Sequence, residues 1–308
     1  MKDVNNNFLA ITLTRKCSLN CKYCFEESSP SEKDEFEFVQ VKSLIAEAKS
    51  LGIKWIALSG GEPLLYPQIY EVIHEVINNK MALFIETNGQ YVDEEFLKTL
   101  NSASNKSEIL IRISLDSYKK EHHEIDRGLN SFDPAIIAIK ALAIKGISVS
   151  VNKVYRKSDF DFNFSIKEYI KFCKQLGVSR FEFSRMVPFG RAQEKDLLTS
   201  EQIVSVRKSL SEFYNYGKDI ISTDFYYLKY SQNCSRLKTK GWGLYAYPYG
   251  FSLCPLQPEV KLGDLNSMQN ILKQNLLIKF NAMRKEAFKH LPRNMIFGCT
   301  ECRRYLTS

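Results

Sequence analysis

The sequence predicts an α/β protein: a partial (β/α)6 TIM-like barrel followed by a small C-terminal domain. Three observations predict it. Six short apolar runs between Phe8 and Phe183 alternate with stretches of helical periodicity, the pattern of parallel strands joined by right-handed crossovers. Polar and glycine-rich motifs follow these runs, where such architectures collect their chemistry. After Arg191 the alternation stops, and four of the eight cysteines fall in what remains.

The first run, Phe8 to Leu13, leads into a cysteine loop. Val41, Leu44, Ile45, Ala48 and Leu51 then recur at helical spacing, with Gly52 as a C-terminal stop. A strand over Lys54 to Leu58 precedes Gly60-Gly61-Glu62-Pro63. Ile69, Val72, Ile73, Val76 and Ile77 mark a second helix, and a strand over Ala82 to Ile85 ends at Glu86-Thr87-Asn88-Gly89. Ile109 to Leu115 is a strand whose end carries Ser114-Leu115-Asp116. Ile136, Ile137, Ala141 and Ile144 form a helix behind Pro134, and Ile147 to Val154 forms a strand. Tyr169, Phe172, Cys173 and Leu176 line a helix, and Phe181 to Phe183 closes the series. Thr199 to Gly217 reads as one helix, and Phe225 to Tyr249 as an irregular stretch whose tyrosines suit core packing better than a substrate channel. The expected division is a barrel over 1–195, a helical connection over 196–224 and a C-terminal domain over 225–308.

Composition excludes several classes. At 308 residues with 44 % hydrophobic content the chain can bury a large core. No apolar stretch approaches the roughly 18–20 residues that span a bilayer. The first seven residues lack the apolar centre of a signal peptide, so the expectation is a cytoplasmic protein without a membrane partner. The net charge of +8 is scattered among acidic residues, which describes a mildly basic surface and no nucleic-acid stripe.

In a reducing compartment eight cysteines are not expected to pair as disulfides. Cys17, Cys21 and Cys24 form a C-x3-C-x2-C run in one loop. A closed zinc site wants four ligands, and a four-iron cluster has four irons to hold. Three thiolates leave one iron open to a small molecule. Gly60 and Gly61 allow close backbone approach to a ligand, and Glu62 offers an acceptor to an ammonium.

With these two motifs in this order the chain resembles the radical S-adenosylmethionine (SAM) family. The resemblance implies that Cys17, Cys21 and Cys24 ligate a four-iron, four-sulfur (4Fe-4S) cluster whose open iron SAM chelates. It implies reductive cleavage of SAM and hydrogen abstraction by a 5′-deoxyadenosyl radical. Tyr23 occupies the family's aromatic position near the adenine, and Gly60, Gly61, Glu62 and Pro63 form the turn that meets the SAM amino group. Ser114 and Asn152 match polar positions that contact the ribose or methionyl part. Asn88, Arg127 and Arg185 are further candidates. A zinc site remains the alternative for the three cysteines.

Cys234, Gly250, Cys254 and Cys299-Thr-Glu-Cys302 resemble the twitch domain, the short form of the SPASM appendage, which implies one auxiliary 4Fe-4S cluster. The spacing from Gly250 to Cys254 is one residue shorter than usual. Only six residues follow Cys302, so a second auxiliary cluster has no ligands. Four cysteines also suit a zinc ribbon. Cys173, on an apolar helix face, reads as a small buried hydrophobe, and the four histidines show no ligand spacing.

The resemblance therefore implies a radical SAM oxidoreductase with SAM and two 4Fe-4S clusters, served by an electron donor such as flavodoxin or ferredoxin. A fully ligated auxiliary cluster suits electron transfer away from a substrate radical. The favoured substrate is a ribosomally made peptide that undergoes oxidation, a crosslink, thioether formation or epimerisation. The first strand begins near residue 8, so leader recognition is expected from a separate protein or the barrel itself. A small-molecule dehydrogenase of a natural-product pathway is the alternative, and a zinc-binding, non-enzymatic module the alternative from another class.

Overall fold

The computed structural model describes residues 8–214, 221–223, 243–252 and 261–263. Six parallel strands form where the apolar runs predict them: β1 (Phe8–Thr14), β2 (Trp55–Gly60), β3 (Ala82–Thr87), β4 (Ile109–Ser114), β5 (Ser148–Tyr155) and β6 (Arg180–Arg185), paired in chain order. Helices α1 (Phe38–Ser50), α2 (Ile69–Asn78), α3 (Glu94–Asn101), α4 (Lys120–Arg127), α5 (Phe132–Ile144), α6 (Ser158–Asp161) and α7 (Ile166–Gln175) lie between them, and α8 (Ser200–Tyr214) follows β6. Alternate strand residues such as Leu9, Ile11, Leu83, Ile85, Ile111, Ile113, Val149, Val151, Phe181 and Phe183 are buried in one core with Val41, Ile45, Val72, Ile73, Ile139 and Leu142 from the helices. The opposite residues of each strand face inward. This is the partial barrel of the α/β fold that the sequence predicts.

The sheet is wider than six strands. β7 (Ile221–Thr223) adds in parallel to β6, and β8 (Gly243–Tyr247) adds in parallel to the outer edge of β1. β9 (Gly250–Ser252) returns antiparallel on β8, and β10 (Lys261–Gly263) pairs with β9. The order is β10-β9-β8-β1-β2-β3-β4-β5-β6-β7. The stretch expected to be irregular up to Tyr249 thus contains a strand. Its alternation, Leu244-Tyr245-Ala246-Tyr247, is only five residues long with Gly243 and flanking turns, too short to stand out in a sequence. Tyr245 and Tyr247 are buried and pack with Ala10, Phe8 and Ala57, so these two tyrosines fill core.

Three of the helices, α3, α4 and the four-residue α6, escape an apolar-periodicity reading because they are short. α3 starts at Asp93, whose carboxylate accepts the Phe96 N–H as an N-cap at 2.8 Å. α4 buries His123, Glu124 and Arg127 instead of an apolar stripe. α8 ends at Tyr214; residues 215–217 of the expected helix lie outside the described residues. Among the described residues no helix is long and apolar enough to cross a membrane.

Ile111 sits at the centre of β4, buried between β3 and β5. Ile111→Ala should destabilise the barrel by about 2–5 kcal/mol, measured by chemical denaturation.

Candidate active site at the barrel rim

The rim is built from the C-terminal ends of the strands. After Thr14 the chain leaves β1 and runs through the cysteine loop with no regular secondary structure. Isolated bridges join Thr14 to Glu35 and Lys16 to Ser29, and the Cys17 N–H donates to the Ser29 carbonyl at 3.0 Å, closing the loop at its base. Gly60 and Gly61, leaving β2, lie against this base. The Gly61 N–H donates to Thr14 O at 2.8 Å and the Glu62 N–H to Lys16 O at 2.9 Å. A Cβ at Gly61 would stand 2.4 Å from the Lys16 carbonyl oxygen, so no side chain fits there. The glycines serve an approach of the chain to itself, in addition to any approach to a ligand.

Glu62 is fully buried. It accepts hydrogen bonds from Leu64 N–H at 3.0 Å, from the Thr87 hydroxyl at 2.7 Å and from the Asn88 N–H at 2.8 Å. Its carboxylate therefore clamps the exits of β2 and β3 together, and Pro63 opens the short turn that it caps. Burial pushes its pKa up to about 7, against the pull of these three donors. Asn88 in turn reaches the cysteine loop: its amide donates to the Ser18 hydroxyl at 3.3 Å and lies 3.9 Å from the Cys17 sulfur.

On the far side of the loop, Tyr23 donates its hydroxyl to Asp116, just beyond β4. The Asp116 carboxylate also accepts Arg127 Nε at 2.7 Å and the Val154 N–H at 3.0 Å. Asp126 contacts Arg156 at 2.5 Å and Lys22 at 3.4 Å, and Asp159 contacts Lys153 at 2.7 Å. Three carboxylates thus face Arg127, Arg156 and Lys153. Burial alone would raise the Asp116 pKa, but Arg127, Arg156 and Lys153 outweigh it and hold the carboxyl ionised. Burial likewise keeps His123 neutral, near 3, so its Nδ1 accepts the Asp116 N–H at 3.1 Å. The Arg127 and Arg156 guanidinium groups lie 5.6 and 5.4 Å from the centre of the Tyr23 ring.

A third hold comes from the turn after β6. Arg191 donates its N–H to Cys24 O at 3.0 Å, its Nε to Cys21 O at 2.8 Å and its Nη2 to Ser28 O at 2.8 Å. Asp116, Arg156, Lys153, Asp159 and Arg191 are not singled out by motif reading. Asp116 meets Tyr23 across 93 positions and Arg191 meets Cys21 across 170, while the nearer pair of Lys153 with Asp159 matches no motif.

The remaining expected positions fall on the same rim. Ser114 and Asn152 are register partners on β4 and β5, and Asn152 accepts from the Ser184 hydroxyl at 3.1 Å. Arg185 ends β6 and is buried. One layer below, on the inner face, Arg112 is ion-paired with both Glu86 and Glu182, passing across β5 at the small Ser150. Cys234, Cys254, Cys299 and Cys302 lie outside the described residues.

The three loop cysteines fit an iron–sulfur cluster by their donor chemistry. All three are free thiols on one loop; Cys17 senses Cys21 and Cys24 electrostatically, and Cys21 senses Cys24. Among the described residues no three His, Cys, Asp or Glu side chains converge to hold a metal ion. The Leu19 N–H donates to the Cys17 sulfur at 3.4 Å, a contact of the kind that tunes cluster thiolates. Without metal, burial pushes the Cys17 thiol up to about 12 and raises Cys21, so ligand binding must displace protons.

Two outcomes test the anchors. The Glu62 carboxyl titrates near 4.5 ordinarily and near 7 here, so the folded chain binds more protons between these values. Its contribution to stability is present at low pH and falls as pH rises through about 4.5 to 7, by a few kcal/mol at most. Glu62→Gln should remove that component, seen as a smaller pH slope in denaturation midpoints. Asp116→Ala leaves Arg127 and Arg156 without their shared carboxylate and should cost about 3–5 kcal/mol, whereas Lys120→Ala at an exposed pair should leave the denaturation curve in place.

Many known proteins resemble this chain in sequence or in fold. The sequence profile of the Radical SAM superfamily matches residues 11–156. The antilisterial bacteriocin subtilosin biosynthesis protein AlbA of Bacillus subtilis is 28% identical over 278 residues, covering 87% of this chain and 59% of that protein. The AdoMet-dependent heme synthase of Methanosarcina barkeri is 27% identical over 190 residues, 61% of this chain and 53% of its own length. The chain thus spans less than two thirds of either curated relative. Among solved structures, Streptococcus suis SuiB bound to its precursor peptide SuiA aligns with a TM-score of 0.68 at 16% identity, over 97% of this chain and 70% of SuiB, a likeness of fold. The Radical SAM profile thus matches just under half of the chain, these relatives resemble it in sequence, and the likeness to SuiB is one of fold.

Proposed function

We propose that the chain is a radical SAM oxidoreductase that modifies a ribosomally made peptide. The observation that carries this reading is the cysteine loop of Cys17, Cys21 and Cys24, held beside the Gly60-Gly61-Glu62 turn and Asn88 at one end of the barrel. When bound, a cluster on these thiolates supplies the electron that cleaves SAM to a 5′-deoxyadenosyl radical. Gly60, Gly61, Glu62 and Pro63 form the turn for the SAM amino group. Ser114, Asn152 and Arg127 receive the ribose or carboxylate, and Tyr23 borders the adenine. Asn88 helps hold the loop against the β3 exit.

Support for a peptide substrate is the length of the AlbA likeness, 278 residues, which runs well past the barrel; AlbA is named for bacteriocin biosynthesis. The heme synthase likeness, over 190 residues, is the observation on the side of a small-molecule substrate. Cys234, Cys254, Cys299 and Cys302 are proposed to hold an auxiliary 4Fe-4S cluster of the twitch type. That cluster gives an electron leaving the substrate somewhere to go, and a ferredoxin or flavodoxin is the donor to the first.

Purified without oxygen, the protein should be brown and hold about eight irons, four per cluster. Changing Cys17, Cys21 and Cys24 to Ala should leave about half of that iron and abolish 5′-deoxyadenosine formation with dithionite. A folded Cys299→Ala/Cys302→Ala variant should still form 5′-deoxyadenosine while yielding no modified product. Normal turnover by that variant would remove the electron-acceptor role and favour a redox-neutral reaction such as epimerisation.

A further inference from the structure

The dipeptide Gly190-Arg191 stands apart in the molecule. It lies in sequence beyond the last expected barrel strand, in no motif that the superfamily likeness needs, yet it touches the cysteine loop at three carbonyls. Those carbonyls belong to Cys21, Cys24 and Ser28, so two of the three are on proposed ligand residues. The contacts are of two kinds. The Arg191 backbone N–H binds Cys24 O, while the planar guanidinium fork spans Cys21 O and Ser28 O, both at 2.8 Å. Glycine at 190 is required by the same approach. Its φ is +59°, and a Cβ there would fall 2.3 Å from Cys24 O and 2.7 Å from the Phe25 Cα.

Inside the closed base of the loop, the segment from Cys21 to Ser28 is weakly tied within its own residues. Cys24 N–H reaches Cys21 O at 3.2 Å and Glu27 N–H reaches Cys24 O at 3.3 Å, both long. A segment so sparsely bonded does not keep three sulfurs in a fixed relation without outside contacts. The fork of Arg191 closes the span from Cys21 to Ser28, as a single flexible ammonium does not. The guanidinium also brings a permanent positive charge to the Cys21 backbone, within electrostatic range of its thiol. A cluster gains one electron on reduction, and a nearby fixed cation stabilises the reduced form, raising its potential.

We propose that Arg191 is a positioning residue for the cluster held by Cys17, Cys21 and Cys24, setting both its retention and its reduction potential through the carbonyls of Cys21, Cys24 and Ser28. This rests on the cluster assignment of the proposed function. The two roles separate by substitution. Arg191→Lys keeps the charge and loses the fork. Arg191→Gln loses the charge and keeps part of the hydrogen bonding. Gly190→Ala keeps Arg191 and disturbs its approach.

The test uses the full chain reconstituted anaerobically. Circular dichroism first shows that each variant is folded, and an iron-loaded wild type whose reduced EPR signal changes with SAM shows that the first cluster is present. A wild type without iron would overturn the cluster assignment itself. Given a loaded wild type, Arg191→Lys and Gly190→Ala should lose iron from this cluster to a chelator at about ten- to hundredfold lower chelator concentration. Arg191→Gln should lower the midpoint potential of the SAM-sensitive signal, while Arg191→Lys leaves it near the wild-type value. Retention and potential unchanged in all folded variants would overturn the inference. A potential equally shifted in Arg191→Lys and Arg191→Gln would overturn the charge role.

Discussion

The balance of buried charge around Asp116 is the constraint on which the rim depends. Three carboxylates and three cations meet there, drawn from the segment after β4, the last turn of α4, β5, the residue after it, and α6. Removed from water, none of these groups is tolerable alone, because breaking one pair leaves its partner uncompensated. The elements that carry them must therefore arrive together. Tyr23 is tied into the same set by its hydroxyl, so the cysteine loop inherits the rigidity of the barrel wall.

Around that centre the rim divides its polar groups by burial. Glu62 and Asp116 have no exposed surface, and both spend their lone pairs on hydrogen bonds from the chain itself. Ser114 and Asn152 are half-buried in comparison and face the inner side. The residues most conspicuous as carboxylates thus act on the frame, and the smaller polar residues stand nearer to where a ligand enters. Arg112 beneath them, bridging Glu86 and Glu182, ties the inner faces of β3, β4 and β6 below that entry.

The six barrel strands were legible because parallel strands packed under helices show as short apolar runs, and each run ended at a polar motif. The cysteine spacing and Gly60-Gly61-Glu62 were legible because ligand geometry demands residues close in sequence. Asp116 was visible only as a strand-end residue: its partner Tyr23 lies 93 positions away, a separation no local pattern encodes. Arg191 hid for the same reason, its contact with Cys21 spanning 170 positions. α4 was missed because its buried face is made of His123, Glu124 and Arg127, which satisfy one another and their surroundings through charge and hydrogen bonds, where periodicity methods look for apolar side chains.

The parallel pairing of β1 with β8 has a consequence for biosynthesis. β1 begins at Phe8, but the strand that covers its outer edge begins at Gly243. A growing chain therefore carries a largely apolar edge strand, Phe8–Thr14, with its outer edge not yet covered by β8 until most of the protein has been made. Such an edge is a template for pairing with another chain. Nascent protein thus has a long interval in which intermolecular strand addition competes with its own completion, and a product ending before residue 243 would keep that open edge permanently.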